Sequence, residues 1–160
     1  MVASEVIESL KTCELFDSLD DEEIRLLTER LGTACSVETY SANRHVFNQG
    51  ELSSRLYIIA SGQVVLQRLI NIGNNKEAIW PLGLLGRGRA MGWSALLYGP
   101  RYATASAICQ KPCEIVAIDG AALRSVLEQQ PVTGYKVMDR LACMLGERLK
   151  TAYNTIDAHL

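Results

Sequence analysis

A long stretch in the middle of the chain, residues 35–119, has the pattern of many short β-strands, whereas both flanking segments have helical periodicity. Short hydrophobic runs are separated there by turns rich in Asn, Gly and Ser, which is typical of a sandwich or barrel. Ser61 and Gly62 predict a tight hairpin turn, and residues 71–75 predict a longer one. The runs predicted as strands are 35–40, 55–60, 64–68, 77–80, 103–108 and 113–118. We therefore predict a mainly β fold with flanking α-helices.

The segment before the strands is predicted to be helical. Asp20 is followed three residues later by Glu23, and this capping-box pattern predicts that a helix begins directly after Asp20. Ile24, Leu27 and Leu31 then fall on one helical face. Packing of this face on the rest of the domain is sufficient to explain the segment.

The helical pattern returns after the strands. Asp119 or Gly120 can cap a first helix. Pro131 suits the start of a second helix, which we predict from Val132 to Ile156. The apolar positions of this last helix are Leu141, Leu145, Leu149, Ala152 and Ile156. This stripe either packs on its own domain or pairs with a second copy of the chain in a homodimer. The predicted domain spans 1–160, with helices in 1–33, a barrel in 34–119 and helices in 120–157.

The composition argues against several classes of protein. With 160 residues and a formal net charge of −2, the chain lacks the clustered Lys and Arg that nucleic-acid binding requires. No stretch resembles a signal peptide or approaches the length of a membrane span, so we expect a cytoplasmic protein. Five cysteines at irregular spacing do not suggest a disulfide framework, and His45 and His159 are too few for a zinc site. We therefore expect no metal and no cofactor.

Residues 92–105 carry the clearest chemical signal. Gly92 predicts a turn, a short helix follows it, and a second glycine turn precedes Arg101 at the start of a strand. Free amides at a helix N-terminus and a guanidinium opposite them are the groups that hold a phosphate. We therefore predict an anion site with a buried Arg101; the alternative is an ordinary surface arginine on a strand.

The order of helices, strands and helices, together with several motifs, resembles the cyclic nucleotide-binding domain shared by catabolite activator-type regulators, cyclic-nucleotide-dependent kinases and gated channels. The resemblance covers nearly the whole chain. It implies an eight-stranded jelly-roll-like barrel interrupted by one short helix, and it makes residues 92–105 a phosphate-binding cassette. The motifs are Phe47-Asn48-Gln49-Gly50-Glu51, the run from Leu56 to Val64, Gly88 and Gly92, and Pro100-Arg101 followed by Ala103-Thr104-Ala105.

This resemblance also implies roles for individual cassette residues. Arg101 would pair with the cyclic phosphate, and Gly92 would allow close approach of the backbone. Backbone amides near Ser94, Ala95 and Tyr102 would donate hydrogen bonds to the phosphate oxygens. The last helix would act as a lid over the ligand.

Trp93 departs from the family pattern. Members that bind tightly usually carry a glutamate directly after the cassette glycine, where it accepts a hydrogen bond from the ribose 2′-hydroxyl. An indole has one donor and no acceptor, so the lost bond costs about 1.5–3 kcal/mol, or about ten- to a hundredfold in affinity. Trp93 either fills the ribose position or offers a stacking face to a different anionic ligand. The bulky Tyr102, where cyclic-GMP-selective members have Thr or Ser, favours cyclic AMP over cyclic GMP.

Enzymes and DNA-binding regulators fit the sequence less well. The segment beginning at Gly92 lacks the second glycine of a hydrolase nucleophile elbow, because Leu96 occupies its place. DNA-binding members of the family carry a helix-turn-helix after the long helix, and this sequence shows none. The charges of the last helix are those of a solvated face: Arg140, Arg148 and Lys150, balanced by Asp139 and Glu147.

The sequence therefore predicts a non-enzymatic, stand-alone regulatory or sensor module. It would bind cyclic AMP or another small anionic ligand through the cassette and signal to an effector protein through its last helix. The alternative is a degenerate cyclic nucleotide-binding fold that acts as a constitutive protein-interaction or dimerisation module.

Overall fold

The computed structural model describes residues 2–159, and within them eight strands form two four-stranded antiparallel sheets. The strands are β1 (Cys35–Tyr40), β2 (His45–Phe47), β3 (Arg55–Ser61), β4 (Val64–Gly73), β5 (Lys76–Leu85), β6 (Ala90–Met91), β7 (Ser106–Cys109) and β8 (Cys113–Asp119). The strand order is β1-β8-β3-β6 in the first sheet and β2-β7-β4-β5 in the second. The predicted mainly β fold is confirmed, with its strands arranged as two sheets. Met1 and Leu160, the ends of the predicted domain, lie outside the described residues.

Helices lie before and after the strands, as predicted. They are α1 (Val2–Thr12), α2 (Asp21–Leu31), α3 (Gly120–Gln129) and α4 (Pro131–His159), and short 3₁₀ helices cover Gly32–Ala34 and Trp93–Leu96. The capping box of α2 is present, because the Glu23 amide donates to the Asp20 carboxylate (2.8 Å) and the Asp20 amide donates to the Glu23 carboxylate (3.1 Å). Asp119 caps α3 by accepting from the Ala122 amide (2.9 Å). Local capping chemistry therefore sets the start of both helices.

Strands β3 and β8, at the centre of the first sheet, are buried on both faces. Along β3, Leu56 and Ile58 belong to the core packed against the helices, whereas Tyr57 and Ile59 belong to the core between the sheets. Strand β8 follows the same alternation, and its Val116 also faces the helices. Side chains on a strand point to alternate faces, so a strand covered on both sides reads as a continuous hydrophobic run.

The turn at Ser61 and Gly62 is not a hairpin, because β3 and β4 belong to different sheets. Gly62 has φ of 101°, and a Cβ there would lie 2.5 Å from Cys113 Sγ and 2.6 Å from the Pro112 carbonyl oxygen. The chain crosses from one sheet to the other at this residue, where a side chain has no room. Glycine is required by the crossing rather than by a hairpin turn.

The hairpin predicted at residues 71–75 is present, but its turn is shorter than expected. Strands β4 and β5 are each ten residues long and remain paired up to Gly73 and Lys76. Asn74 and Asn75 alone form the turn, with φ of 53° and 58°. Two consecutive residues with positive φ match a tight hairpin turn, and Asn tolerates this conformation.

Other strand boundaries differ from the sequence prediction because the elements are short. Strands β2 and β6 contain three and two residues, too few to show an alternating pattern. The predicted strand at 103–108 begins only at Ser106. Ala103 is instead fixed by two backbone hydrogen bonds of 2.8 Å, one with Gly50 and one with Glu51.

Helix α4 is fixed to the N-terminal segment by ion pairs, so the prediction of a solvated charged face is wrong for two of its cations. Arg140 pairs with Asp17 at 3.0 Å, and Arg148 lies 3.5 Å from Glu14. Earlier in the helix, Lys136 pairs with Glu23 at 2.8 Å. The partners lie far away in sequence, so the neighbouring acids on α4 gave a misleading charge balance.

Three features bear on possible functions. Among residues 2–159 no helix combines the length and apolar character needed to cross a membrane. The described part of the chain contains no group of three or more His, Cys, Asp or Glu side chains placed to hold a metal ion. All five cysteines are free thiols.

Candidate ligand-binding site

A cavity of about 520 Å³ lies between the second sheet, the segment that follows β6 and helix α4. A cavity of this size accommodates a small molecule. Its described lining consists of Phe47, Ser53, Leu66, Leu82, Gly83, Leu84, Leu85, Arg89, Met91, Gly92, Trp93, Ser94, Ala103, Thr104, Ala105, Leu145, Arg148, Leu149, Thr151 and Ala152. The walls are mostly apolar, and the polar side chains come from the cassette, from α4 and from Ser53 and Arg89.

The structure brings three of the predicted site residues to this cavity: Gly92, Trp93 and Ser94. Ala95 is buried outside the described lining. Arg101 and Tyr102 are exposed and also lie outside that lining. The predicted site residues are therefore divided between the cavity wall and the surface beside it.

Gly92 gives the cassette its sharp turn after β6. Its φ is 74°, and a Cβ at this position would lie 2.6 Å from the Arg55 carbonyl oxygen and 3.1 Å from the Tyr57 ring. The backbone of the cassette therefore passes directly over β3, which only glycine permits without a shift. This close approach places Trp93 and Ser94 on the cavity wall.

The short helix after Gly92 is a single 3₁₀ turn, Trp93–Leu96. The Ala95 amide donates to the Gly92 carbonyl (3.1 Å), so in this conformation it is occupied within the turn rather than free for an anion. The Ala95 carbonyl accepts from the guanidinium of Arg124 on α3. The cassette is thus connected directly to the helical layer.

Arg101 lies on the surface, so the expectation of a buried arginine is wrong. Tyr98, Gly99 and Pro100 before it are all exposed, and this segment carries the arginine over the outside of the domain. The Arg101 side chain donates from Nε to the Tyr98 carbonyl (3.2 Å). No carboxylate among the described residues forms an ion pair with it.

Trp93 forms part of the cavity wall. Its half-buried side chain packs against the core that the helices share with the first sheet. The cavity retains its volume with the indole in place. Trp93 therefore presents an aromatic surface to the cavity without filling it.

A family model described as "Cyclic nucleotide-binding domain" matches residues 37–130, more than half of the chain. The chain belongs to this family. The match includes all strands except the first two residues of β1, and it includes the whole cassette. The resemblance to the cyclic nucleotide-binding domain predicted from the sequence is therefore confirmed.

Individual relatives support the same assignment. The "Cyclic AMP receptor protein" of Thermus thermophilus is 30% identical over 149 residues, which are 92% of this chain and 62% of that protein. A crystal structure of the Thermus thermophilus catabolite activator protein is similar with a TM-score of 0.68 and 32% identity, covering 91% of this chain and 62% of the other. A cyclic nucleotide-binding domain from Methylobacillus flagellatus gives a TM-score of 0.78 at 23% identity, covering 99% and 84%. The chain thus spans about 62% of the curated relative's length.

Two arginines of this cyclic nucleotide-binding domain were missed by sequence reasoning. Arg89 and Arg148 line the cavity, and both reach the carboxylate of Glu14. The position of Arg148 in the sequence could have indicated that it is not solvated. It lies three residues after Leu145 and four before Ala152, within the apolar stripe of α4. An arginine on the apolar face of a helix needs a buried partner, and here that partner comes from the N-terminal segment.

Proposed function

We propose that this domain is a non-catalytic regulatory module that binds a cyclic nucleotide or another small anionic ligand in the cavity and transmits binding through α4. One observation carries the proposal. The cassette residues Gly92, Trp93 and Ser94 and the α4 residues Leu145, Leu149 and Ala152 line the same cavity. A ligand in it contacts both elements at once. If the ligand binds more tightly when α4 is in one of two positions, ligand binding increases the population of that position.

Cyclic AMP is the first ligand to test. The Thermus relative is named a cyclic AMP receptor protein, and the bulk of Tyr102 disfavours the base contact expected for cyclic GMP. In the proposed complex Arg101 turns from the Tyr98 carbonyl toward the cyclic phosphate. Gly99 favours such a turn, because it has φ of 80° and a Cβ added there would meet nothing within 4 Å.

Isothermal titration calorimetry tests this proposal. Wild-type protein is titrated with cyclic AMP, cyclic GMP and cyclic dinucleotides, and the preferred ligand is then titrated into Arg101→Ala and Arg44→Ala. Arg44 is also an exposed arginine, and it lies outside the described lining of the cavity. We expect Arg101→Ala to weaken binding by about ten- to a hundredfold, since a charge-assisted hydrogen bond is lost. Absence of heat with every compound, or equal affinity of the two variants, contradicts the proposal.

A second candidate, a constitutive dimerisation module, is favoured by the exposed apolar side chains near the end of α4. Leu149, Tyr153 and Ile156 are 52%, 57% and 50% exposed. Pairing with a second copy of the chain would cover this face. Analytical ultracentrifugation of wild type and Ile156→Lys, each with and without cyclic AMP, distinguishes the candidates. A dimer that Ile156→Lys dissociates and that cyclic AMP leaves unchanged supports the second candidate.

A further inference from the structure

The guanidinium groups of Arg89 and Arg148 converge on one carboxylate beside the cavity. Arg89 Nε lies 2.9 Å from Glu14 Oε2, and Arg148 Nη2 lies 3.5 Å from the same oxygen. The Ala90 amide also donates to Glu14 Oε2 (2.8 Å), while Arg148 Nη2 donates to the Ala90 carbonyl. This basic cluster, defined as Arg89, Arg148 and Glu14, joins the N-terminal segment, the residue before β6 and helix α4.

The basic cluster contains one more positive charge than negative charge. The Arg148 side chain is only 21% exposed, and its buried Nε has no hydrogen-bond partner among the described residues. Burial lowers the pKa of Arg148, Glu14 raises it, and the nearby positive charge of Arg89 lowers it further. The guanidinium of Arg148 is mostly buried, shares its counter-ion with a second cation and has an unused donor. These conditions favour the binding of an additional anion beside it.

The remainder of the cavity has a different character. Phe47, Leu66, Met91 and Leu145 supply apolar walls, and Trp93 adds an aromatic face. A ligand that matches both parts has an apolar or aromatic body and an acidic group at one end. This site is separate from the proposed Arg101 anchor, because Arg101 lies outside the described lining.

We infer that Arg89 and Arg148 form an anion subsite that binds the carboxylate or phosphate of a small acid whose apolar body occupies the cavity. This inference rests on the proposed use of the same cavity for ligands. Its anchor and its ligand class differ from those of the cyclic nucleotide proposal. The acid joins Glu14 as a second counter-ion, so the two arginines become balanced by two negative charges.

Calorimetric titration with three probes of matched shape tests the inference. The probes are 1-naphthoate, 1-naphthyl phosphate and the neutral 1-naphthylmethanol. We expect the better of the two acids to bind wild type at least about tenfold more tightly than the alcohol, because its charge is paired with a buried guanidinium. The relative affinity of the two acids identifies carboxylate or phosphate as the preferred group. Equal affinity of acids and alcohol, or no binding of any probe, overturns the inference.

Three variants test whether the preference for acids over the alcohol arises from the basic cluster. Arg148→Gln should lower the affinity for the acids more than the affinity for the alcohol and so remove the preference for acids. Arg87→Gln, at a neighbouring arginine that pairs with Glu8 and lies outside the described lining, should leave both affinities unchanged. Glu14→Gln removes the competing carboxylate and should strengthen acid binding several-fold, a gain that a folding defect cannot produce. An unchanged acid preference in Arg148→Gln, or no gain in Glu14→Gln, contradicts the inference. Cyclic AMP binding in Arg101→Ala is read separately, so failure of one proposal does not imply failure of the other.

Discussion

Substitution of Gly92 by alanine tests whether the cassette backbone must pass over β3. The new Cβ would be held at a φ of 74° and would lie 2.6 Å from the Arg55 carbonyl oxygen, which belongs to the strand backbone and cannot rotate away. The left-handed conformation alone costs an L-residue about 1–2 kcal/mol. Overpacking against a fixed neighbour adds about 1–3 kcal/mol. We therefore expect Gly92→Ala to lower the free energy of unfolding by about 2–5 kcal/mol.

Gly99→Ala is the matched control, since Gly99 has φ of 80° in the same cassette and a Cβ added there would meet nothing within 4 Å. This variant should lose only the conformational contribution, about 1–2 kcal/mol. Urea unfolding followed by circular dichroism measures both variants, and equal m-values make their free energies comparable. If Gly92→Ala is no more destabilised than Gly99→Ala, the close contact with Arg55 is not a constraint on this fold.

Three further predictions concern other parts of the molecule. Gly146→Ala, at an exposed position of α4 with no neighbour within 4 Å, should raise the free energy of unfolding by about 1 kcal/mol in urea titrations. The hydrogen bond from Lys136 lowers the pKa of Glu23, so wild type should be more stable than Lys136→Met by about 0.5–1 kcal/mol at pH 7. Urea titrations across pH should show this advantage disappearing below about pH 4, as Glu23 becomes protonated. In thiol titration with Ellman's reagent the exposed Cys143 should react first. Cys13 should react only after unfolding, because burial raises its pKa to about 12.

The features of the fold that sequence reasoning predicted well are those with local causes. The helix start after Asp20 depends on a hydrogen-bond exchange with Glu23 three residues away, so both partners are visible in one short segment. The double-sided burial of β3 and β8 likewise appears as uninterrupted hydrophobic runs. Sheet membership is different, because β3 pairs with β8 and β6 rather than with β4, which follows it directly in sequence. A turn motif such as Ser61-Gly62 does not indicate whether its two strands pair with each other.

The candidate site also depends on contacts between residues that are distant in sequence, which local patterns do not indicate. Gly92, Trp93 and Ser94 were found because a family motif marks them, and they line the cavity. The motif also marked Arg101, but burial depends on how an exposed loop is oriented, and no periodic pattern reports that orientation. Arg148 was missed because its partner, Glu14, lies at the opposite end of the chain. Charge balance within one helix is therefore a poor guide to whether its arginines are solvated.

The contacts of helix α4 are not distributed equally along its length. Its first half is anchored by buried Val137, Leu141 and Met144. Ion pairs of 2.8 Å and 3.0 Å reinforce that half. In the second half, Arg148 donates to the Ala90 carbonyl and lies 3.5 Å from Glu14. Beyond Leu145 the helix is exposed to the cavity and to solvent over most of its surface, and near its end the His159 ring makes an edge contact with the Trp80 ring of β5 (5.1 Å between centroids). Because local stability follows buried contacts, we expect the second half of α4 to move more readily than the first. We therefore expect an anion bound at the basic cluster to act on the second half of α4 while the first half stays packed on the domain.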